Sequence, residues 1–448
     1  MRKAKTLTVI PGRNALYAGA AVAALAFLPF WWPGLRWPAY VLGGLWLAAT
    51  VVELARLWRA RDGVTVARAQ PEVVGRGVAF TVSLRVQSVL PFKARLHLRE
   101  VLPATAEPSL HLARLELPPA APGAPAACEH QLRLRLPVRG DHVIGDTWLR
   151  LDGPLGLLAL QWAEDDAAAV KVYPECVASP EEFASFVGGA LADKRQNTRQ
   201  RGEGAEFLAI TPFQPGDDLR HVDWRASARQ REILVRRHQI EQHREVVILL
   251  DCGRLMGVDI GGGSKLDQAV NSALLLAGVA FARGDKCGLG VFDDQARAFL
   301  PPQAKLGQAV LAAQLYNVRS DFRETDFQPI FALLQARQRK RSLLVVLSDL
   351  AEADASVRYR AALAALSRRH LVVFAALRTP EFAAMLRRPL GGWPDAVEKS
   401  LVWRLERERE ETLRSLAHGG VTVLDVPPTE LTAPLINAYL ALRESNRL

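Results

Sequence analysis

Cysteine and methionine are scarce in this chain, at four and three residues of 448. The cysteines (Cys128, Cys176, Cys252 and Cys287) are scattered and form no C-x-x-C pair, which excludes a disulfide framework or a zinc ribbon. Isolated thiols of this kind suit a reducing compartment, so the bulk of the chain is expected in the cytosol. The nine histidines make no H-E-x-x-H or comparable metal spacing. No G-x-x-x-x-G-K-S/T loop occurs either; Gly261-Gly262-Gly263-Ser264-Lys265 lacks the spacing and reads as a flexible turn. Any ATP chemistry must therefore come from a partner. Nucleic-acid motifs are also missing, so the net charge of +10 is assigned to anionic lipid or an arginine-rich surface, with no nucleic acid as partner.

Charge itself is missing from two long stretches near the start. Asn14 to Trp32 contains none, and Trp37 to Leu54 contains only Glu53. As helices, both match the ~30 Å hydrocarbon core of a bilayer. Pro33-Gly34-Leu35-Arg36 joins them, and Trp31, Trp32, Trp37 and Tyr40 cluster there as interfacial aromatics do. Arg2, Lys3, Lys5 and Arg13 precede the first run, Arg56, Arg59 and Arg61 follow the second, and only Arg36 lies between. By the positive-inside rule, residues 1–61 are an N-terminal transmembrane α-hairpin in a lipid bilayer, with both ends cytoplasmic. A cleaved signal peptide is the competing reading; the second apolar run with its basic stop argues against it.

Residues 62–175 change to period-two alternation. Val78–Val86, Ala94–Arg99, Gln131–Leu136 and Trp148–Leu151 read as half-buried antiparallel strands, and Pro118–Ala127 as a surface loop. Several such strands over this length predict a β-sandwich-like domain acting as a spacer or interaction module. Residues 176–201 follow as a linker, helical around Pro180–Asp193 and then polar from Lys194 to Arg201.

Past Arg244 strands and helices alternate. Val246–Asp251, Cys287–Phe292, Leu343–Leu347, Leu371–Leu377 and Val421–Val426 are short continuous apolar runs, and Leu266–Ala282, Gln308–Tyr316 and Phe327–Arg339 have helical spacing. This order predicts an α/β domain with a doubly wound parallel sheet, within the segment 202–448. Ligands of such sheets sit beyond the carboxyl ends of the strands. Asp251 and Asp349 fall at that edge, where each has an ordinary reading as an acid capping a following helix. Thr325 adds a hydroxyl, and hard cations such as Mg²⁺ accept such an oxygen set.

The most distinctive segment runs from Gly202 to Arg237. Gly204, Phe207, Pro215-Gly216-Asp217-Asp218, Arg220, Asp223-Trp224 and Ala226 to Arg229, continued by Asp251-Cys252-Gly253-Arg254-Leu255-Met256, closely resemble the signature of domain-of-unknown-function family 58. That resemblance implies a von Willebrand factor A-like α/β domain and a MoxR-type AAA+ ATPase as partner. It further implies a role in maturing an unknown client at a bacterial cytoplasmic membrane. It also invites a metal-ion-dependent adhesion site, Asp-x-Ser-x-Ser with a distant Thr and a later Asp. Asp251, Thr325 and Asp349 match; Gly253 and Leu255 stand where serines are expected, so no bound Mg²⁺ or other cofactor is expected.

Within the signature, Pro215-Gly216 favours a turn. Asp217, Asp218, Arg220, Asp223 and Arg225 form a dense set of ion-pairing groups, and Trp224 is expected to bury its ring. Gly216, Asp217, Asp218, Arg220, Asp223, Trp224, Arg225 and Arg229 are thus candidate partner-docking residues. The expected function is a non-enzymatic adaptor. The alternatives are a hydrolase using Asp217 and Asp223 as acid and base near His221, or a membrane-surface scaffold without an ATPase.

Overall fold

Among the described residues, ten short strands account for the period-two pattern of residues 62–175. The computed structural model describes residues 7–32, 36–121, 124–175, 201–214, 219, 222–230, 232–239, 244–303, 306–349 and 353–445. They fall into two units, Met1–Ala178 and Ser179–Leu448.

The first unit runs β1 (Leu7–Pro11), α1 (Arg13–Phe27), α2 (Arg36–Arg61), β2 (Val64–Ala69), β3 (Val73–Gly75), β4 (Ala79–Ser88), β5 (Ala94–Glu100), β6 (His111–Leu117), β7 (Ala126–Arg135), β8 (Gly140–Ile144), β9 (Thr147–Asp152), β10 (Leu158–Glu164) and β11 (Ala168–Tyr173). The strands form sheets ordered β1-β10-β9-β5-β6, β2-β4-β7 and β3-β11-β8. In β5, Ala94, Leu96 and Leu98 point inward while Arg95 and Arg99 face out, as a strand with one solvated face must. Leu84 and Val86 from β4, Leu149 and Leu151 from β9, and Leu160 and Trp162 from β10 meet them in one core. Burying one such aliphatic side chain contributes roughly 1.5–3 kcal/mol, so this shared core holds the unit together.

Two features depart from the sequence reading. Residues 7–11, counted there with the basic flank, are a strand paired antiparallel to β10, with Leu7 opposite Trp162. Five residues are too few for alternation to stand out, so the pairing comes from the available edge of β10. The second departure is the length of α2, which runs past the apolar segment ending at Leu54 to Arg61. It is one helix of 26 residues, and among the described residues it alone is long and apolar enough to cross a membrane, by length and composition. Its two parts have different surroundings. Trp37, Tyr40, Val41, Leu45, Val51 and Val52 are exposed, whereas Leu57 and Ala60 enter the core of the β-strands. α1 has 15 residues, followed by a 3₁₀ turn at Leu28–Phe30, and packs beside α2 with Gly19 against the Trp46 ring.

Glu53 marks the division. Its carboxylate is fully buried (0% exposed) and accepts backbone N–H bonds from Leu155 (2.7 Å), Leu157 (3.0 Å) and Leu158 (2.9 Å) in the β9–β10 turn. Gly153 stands against this carboxylate so closely that a Cβ there would overlap it. From the foot of α1, Asn14 Nδ2 donates to Leu155 O at 2.9 Å. One turn of the β-unit therefore holds the feet of both helices.

The second unit begins with a two-stranded ribbon, β12 (Arg201–Pro212) and β13 (Leu234–Gln239), with the short helix α3 (Trp224–Gln230) between them. The sequence reading had only a turn and ion pairs here. The helix around Pro180–Asp193 and the polar run up to Gln200 lie outside the described residues. The chain continues with β14 (Glu245–Asp251), α4 (Lys265–Ala282), β15 (Lys286–Phe292), β16 (Ala296–Leu300), α5 (Gln308–Leu315), α6 (Gln328–Arg337), β17 (Leu343–Ser348), α7 (Ala353–Ser367), β18 (Leu371–Leu377), α8 (Pro380–Arg387), α9 (Trp393–His418), β19 (Thr422–Val426) and α10 (Thr432–Glu444).

The sheet order is β16-β15-β14-β17-β18-β19. Five strands are parallel; β16, not anticipated from sequence, closes the edge as an antiparallel hairpin partner of β15. Val247 and Leu249 of β14 enter a core with residues of α6, α7 and α9, while the alternate Val246, Ile248 and Leu250 are buried on the α4 side. A strand covered on both faces has no polar positions, which is why VVILLD reads as a continuous apolar run. From β14 the chain steps outward to β15 and then returns to β17. The switch point of this doubly wound sheet therefore lies between β14 and β17.

Candidate functional site

Acidic residues stand at the carboxyl ends of four parallel strands. Asp251 closes β14, Asp293 follows β15, Asp349 follows β17, and Asp425 lies near the end of β19. Three of them face a basic side chain. Asp293 pairs with Arg297 from β16. Asp349 Oδ2 lies 2.5 Å from Lys265 Nζ. Asp425 is paired with Arg409 (2.8 Å) and Arg378 (3.0 Å). Burial pushes the Asp425 carboxyl up, but these two guanidinium groups outweigh it and hold it below its ordinary range.

Asp251, at the switch point, is bound differently. Thr325 Oγ1 donates to it at 2.9 Å, Ser348 Oγ at 2.5 Å and the backbone N–H of Gly253 at 2.7 Å. Burial raises its pKa to about 6, against the opposing pull of these donors. The structure thus brings Asp251 and Thr325 into direct contact and turns Asp349 away to Lys265. Lys265 is fully buried (0% exposed) and also reaches Thr379 Oγ1 at 2.6 Å. Sequence reading missed Lys265, Ser348, Thr379 and Arg409 as members of this group. The signal available for Lys265 was its place as the first residue of an apolar helix. Ser264 caps that helix, accepting from Asp267 N–H at 3.1 Å.

A divalent cation does not fit these residues. The Asp251 carboxylate is occupied by three donors, and Asp349 by an ammonium. Position 253 cannot supply a hydroxyl in this arrangement, because a Cβ on Gly253 would overlap Thr325 Oγ1. Leu255 offers no oxygen.

Of the signature residues, Gly216, Asp217, Asp218, Arg220 and His221 lie outside the described residues. Asp223 is buried, and its Oδ1 accepts from the N–H groups of Arg225 and Ala226 (both 3.1 Å), starting α3. Ser227 Oγ donates to Asp223 O at 2.7 Å and accepts from Leu234 N–H at 2.9 Å, tying the helix to β13. Trp224 is not buried, contrary to expectation. With Asp223 turned inward as the cap, the next residue points out and is 68% exposed. Leu219 and Ile233 are exposed apolar neighbours in sequence, and Arg225 and Arg229 are exposed as well.

Fold and site together define a two-unit protein. A sheet-rich unit carries an apolar helix of bilayer length, and an α/β unit has its carboxyl edge closed by its own side chains. Residues 210–385 match the family model described as Protein of unknown function DUF58. No curated protein matches the chain. Among solved structures, the CARDB domain of a Pyrococcus furiosus protein is 13% identical, covering 24% of this chain and 86% of that one, with a TM-score of 0.17. An uncharacterized membrane spanning protein from Vibrio fischeri is 14% identical, covering 45% of this chain and 99% of that one, with a TM-score of 0.18. A β-glucosidase from Listeria innocua is 12% identical, and the match spans 24% of this chain and 16% of the enzyme, with a TM-score of 0.15. At these scores none of the three bears on fold or function.

Proposed function

We propose that the chain is a membrane-anchored, non-enzymatic adaptor with a von Willebrand factor A-like domain. In this reading it docks a MoxR-type AAA+ ATPase at the cytoplasmic face of a bacterial inner membrane and serves the maturation of a client protein. The observation that carries the reading is Trp224 at 68% exposure inside the family signature. An exposed tryptophan followed by an exposed arginine, Arg225, is the composition of an interface centre.

Other features support it. Asp223, the base of the hydrolase alternative, is occupied as the cap of α3. The order β16-β15-β14-β17-β18-β19 suits a von Willebrand factor A-like sheet. The exposed apolar surface of α1 and of α2 up to Val52 suits lipid, and Arg56, Arg59 and Arg61 suit a cytoplasmic foot. Both helix feet meet one turn, as two spans of a hairpin require.

The test is binding of the full chain, in detergent micelles, to the MoxR-type ATPase encoded beside it, with and without ATP. Trp224→Ala is expected to weaken the complex about tenfold or more. No association in either nucleotide state would remove the proposal.

A further inference from the structure

We infer that the switch-point site carries its own cation, the Lys265 ammonium, and works without a divalent metal. Three observations converge. Lys265 has no solvent-exposed surface, and a buried lysine is retained as a charged group only when it is paired and hydrogen-bonded. Here it is both, with Asp349 Oδ2 at 2.5 Å and Thr379 Oγ1 at 2.6 Å. The three strand ends at and beside the switch point are thereby linked: β17 supplies Asp349, and Thr379 follows β18. Ser348, next to Asp349, reaches back to Asp251 of β14.

The second observation is how the lysine is delivered. Asp259 accepts from Gly261 N–H at 3.0 Å, shaping the turn, and Ser264 caps α4. Lys265 N–H donates to Val258 O at 3.0 Å. The first residue of α4 is therefore pinned by its backbone before its side chain spans to Asp349.

The third is charge. A divalent ion beside Asp349 would lie against this ammonium and near Arg409, whose Nε is 3.8 Å from Asp349 Oδ1. Two cations already share that carboxylate, and like charges at such range repel strongly in a buried site. The chain thus keeps the electrostatic role of a metal at this edge and dispenses with the ion. The assignment of the cation stands whether or not an ATPase docks.

The experiment uses the full chain in detergent micelles with Mn²⁺ as the probe, followed by electron paramagnetic resonance and by the melting temperature of the C-terminal unit. Wild type is expected to show no saturable Mn²⁺ binding, and Mg²⁺, Mn²⁺ and EDTA leave its melting temperature unchanged. Lys265→Ala is expected to melt lower, and adding Asp349→Asn to it to recover part of the loss by removing the carboxylate that has lost its nearer cation. One Mn²⁺ bound saturably by wild type and lost in Asp251→Asn or Asp349→Asn would overturn the inference. So would a drop in melting temperature on chelation, or a Lys265→Ala variant as stable as wild type. Should Lys265→Ala fail to fold, the wild-type titration decides alone.

Discussion

Replacing Glu53 by alanine removes the acceptor that holds the β9–β10 turn to the foot of α2. Three backbone N–H groups lose their partner. Leu155 is half exposed and can turn to water, whereas Leu157 and Leu158 are buried. An unsatisfied buried donor costs about 1–3 kcal/mol, so two of them cost roughly 2–6 kcal/mol. The carboxylate's own desolvation is relieved by the same change, which brings the expected loss to about 3 kcal/mol. That corresponds to a hundredfold change in the opening equilibrium, at about 1.4 kcal/mol per decade. The assay is hydrogen exchange by mass spectrometry on the full chain in micelles, reading residues 153–158. Glu53→Ala should exchange there about a hundred times faster than wild type. Glu53→Gln, which keeps one oxygen, should fall between. Unchanged protection at 153–158 in the alanine variant, or equal effects of Ala and Gln, would refute the reasoning.

Other outcomes are equally specific. Lys265→Met should destabilise the C-terminal unit by about 3–5 kcal/mol in denaturant titration, because it takes the nearer of two cations from a buried carboxylate. Gly253→Ser, which restores the hydroxyl of the adhesion-type pattern, should lower the melting temperature and create no Mn²⁺ binding, since its Cβ meets Thr325 Oγ1. Asp251, with its pKa raised to about 6 from 3.8, favours the protonated state when folded. Its contribution to stability is complete below about pH 4 and is lost as pH rises through 6. From pH 7 to 5 wild type should therefore gain stability relative to Asp251→Asn, and parallel pH profiles would contradict this. Under the proposed docking role, Trp224→Ala should leave the melting temperature within a degree or so while weakening association with the proposed ATPase, since an exposed residue contributes little to the fold.

Much of the architecture was legible because burial imposes a period. Ala94–Glu100 alternates since one face is solvated, and Val246–Leu250 does not since both faces are covered. The bilayer-length α2 was legible from the absence of charge over residues 37–52. Among the strands missed, Leu7–Pro11 and Ala296–Leu300 have five residues each, too few for a pattern to declare itself, and exist by pairing with a neighbour's edge. The ribbon β12–β13 was hidden because neither strand, RGEGAEFLAITP or LVRRHQ, alternates apolar and polar residues with a period of two.

The candidate site divides the same way. Asp251, Thr325 and Asp349 could be named from sequence, because acids at strand ends follow from the alternation of strand and helix. Their partners could not. Lys265 reaches Asp349 across 84 positions of sequence and Thr379 across 114, and Glu53 meets Leu155 across 102. Periodicity is a local property and carries no information about such pairs. Sequence by itself therefore determined which segments are apolar, which are charged, and where acids meet strand ends. Tertiary structure alone decided that Asp349 is answered by an ammonium, that Trp224 faces outward, and that a glutamate in an apolar helix is the clamp of a β-turn. Each of those depends on which distant backbone is brought within hydrogen-bonding distance.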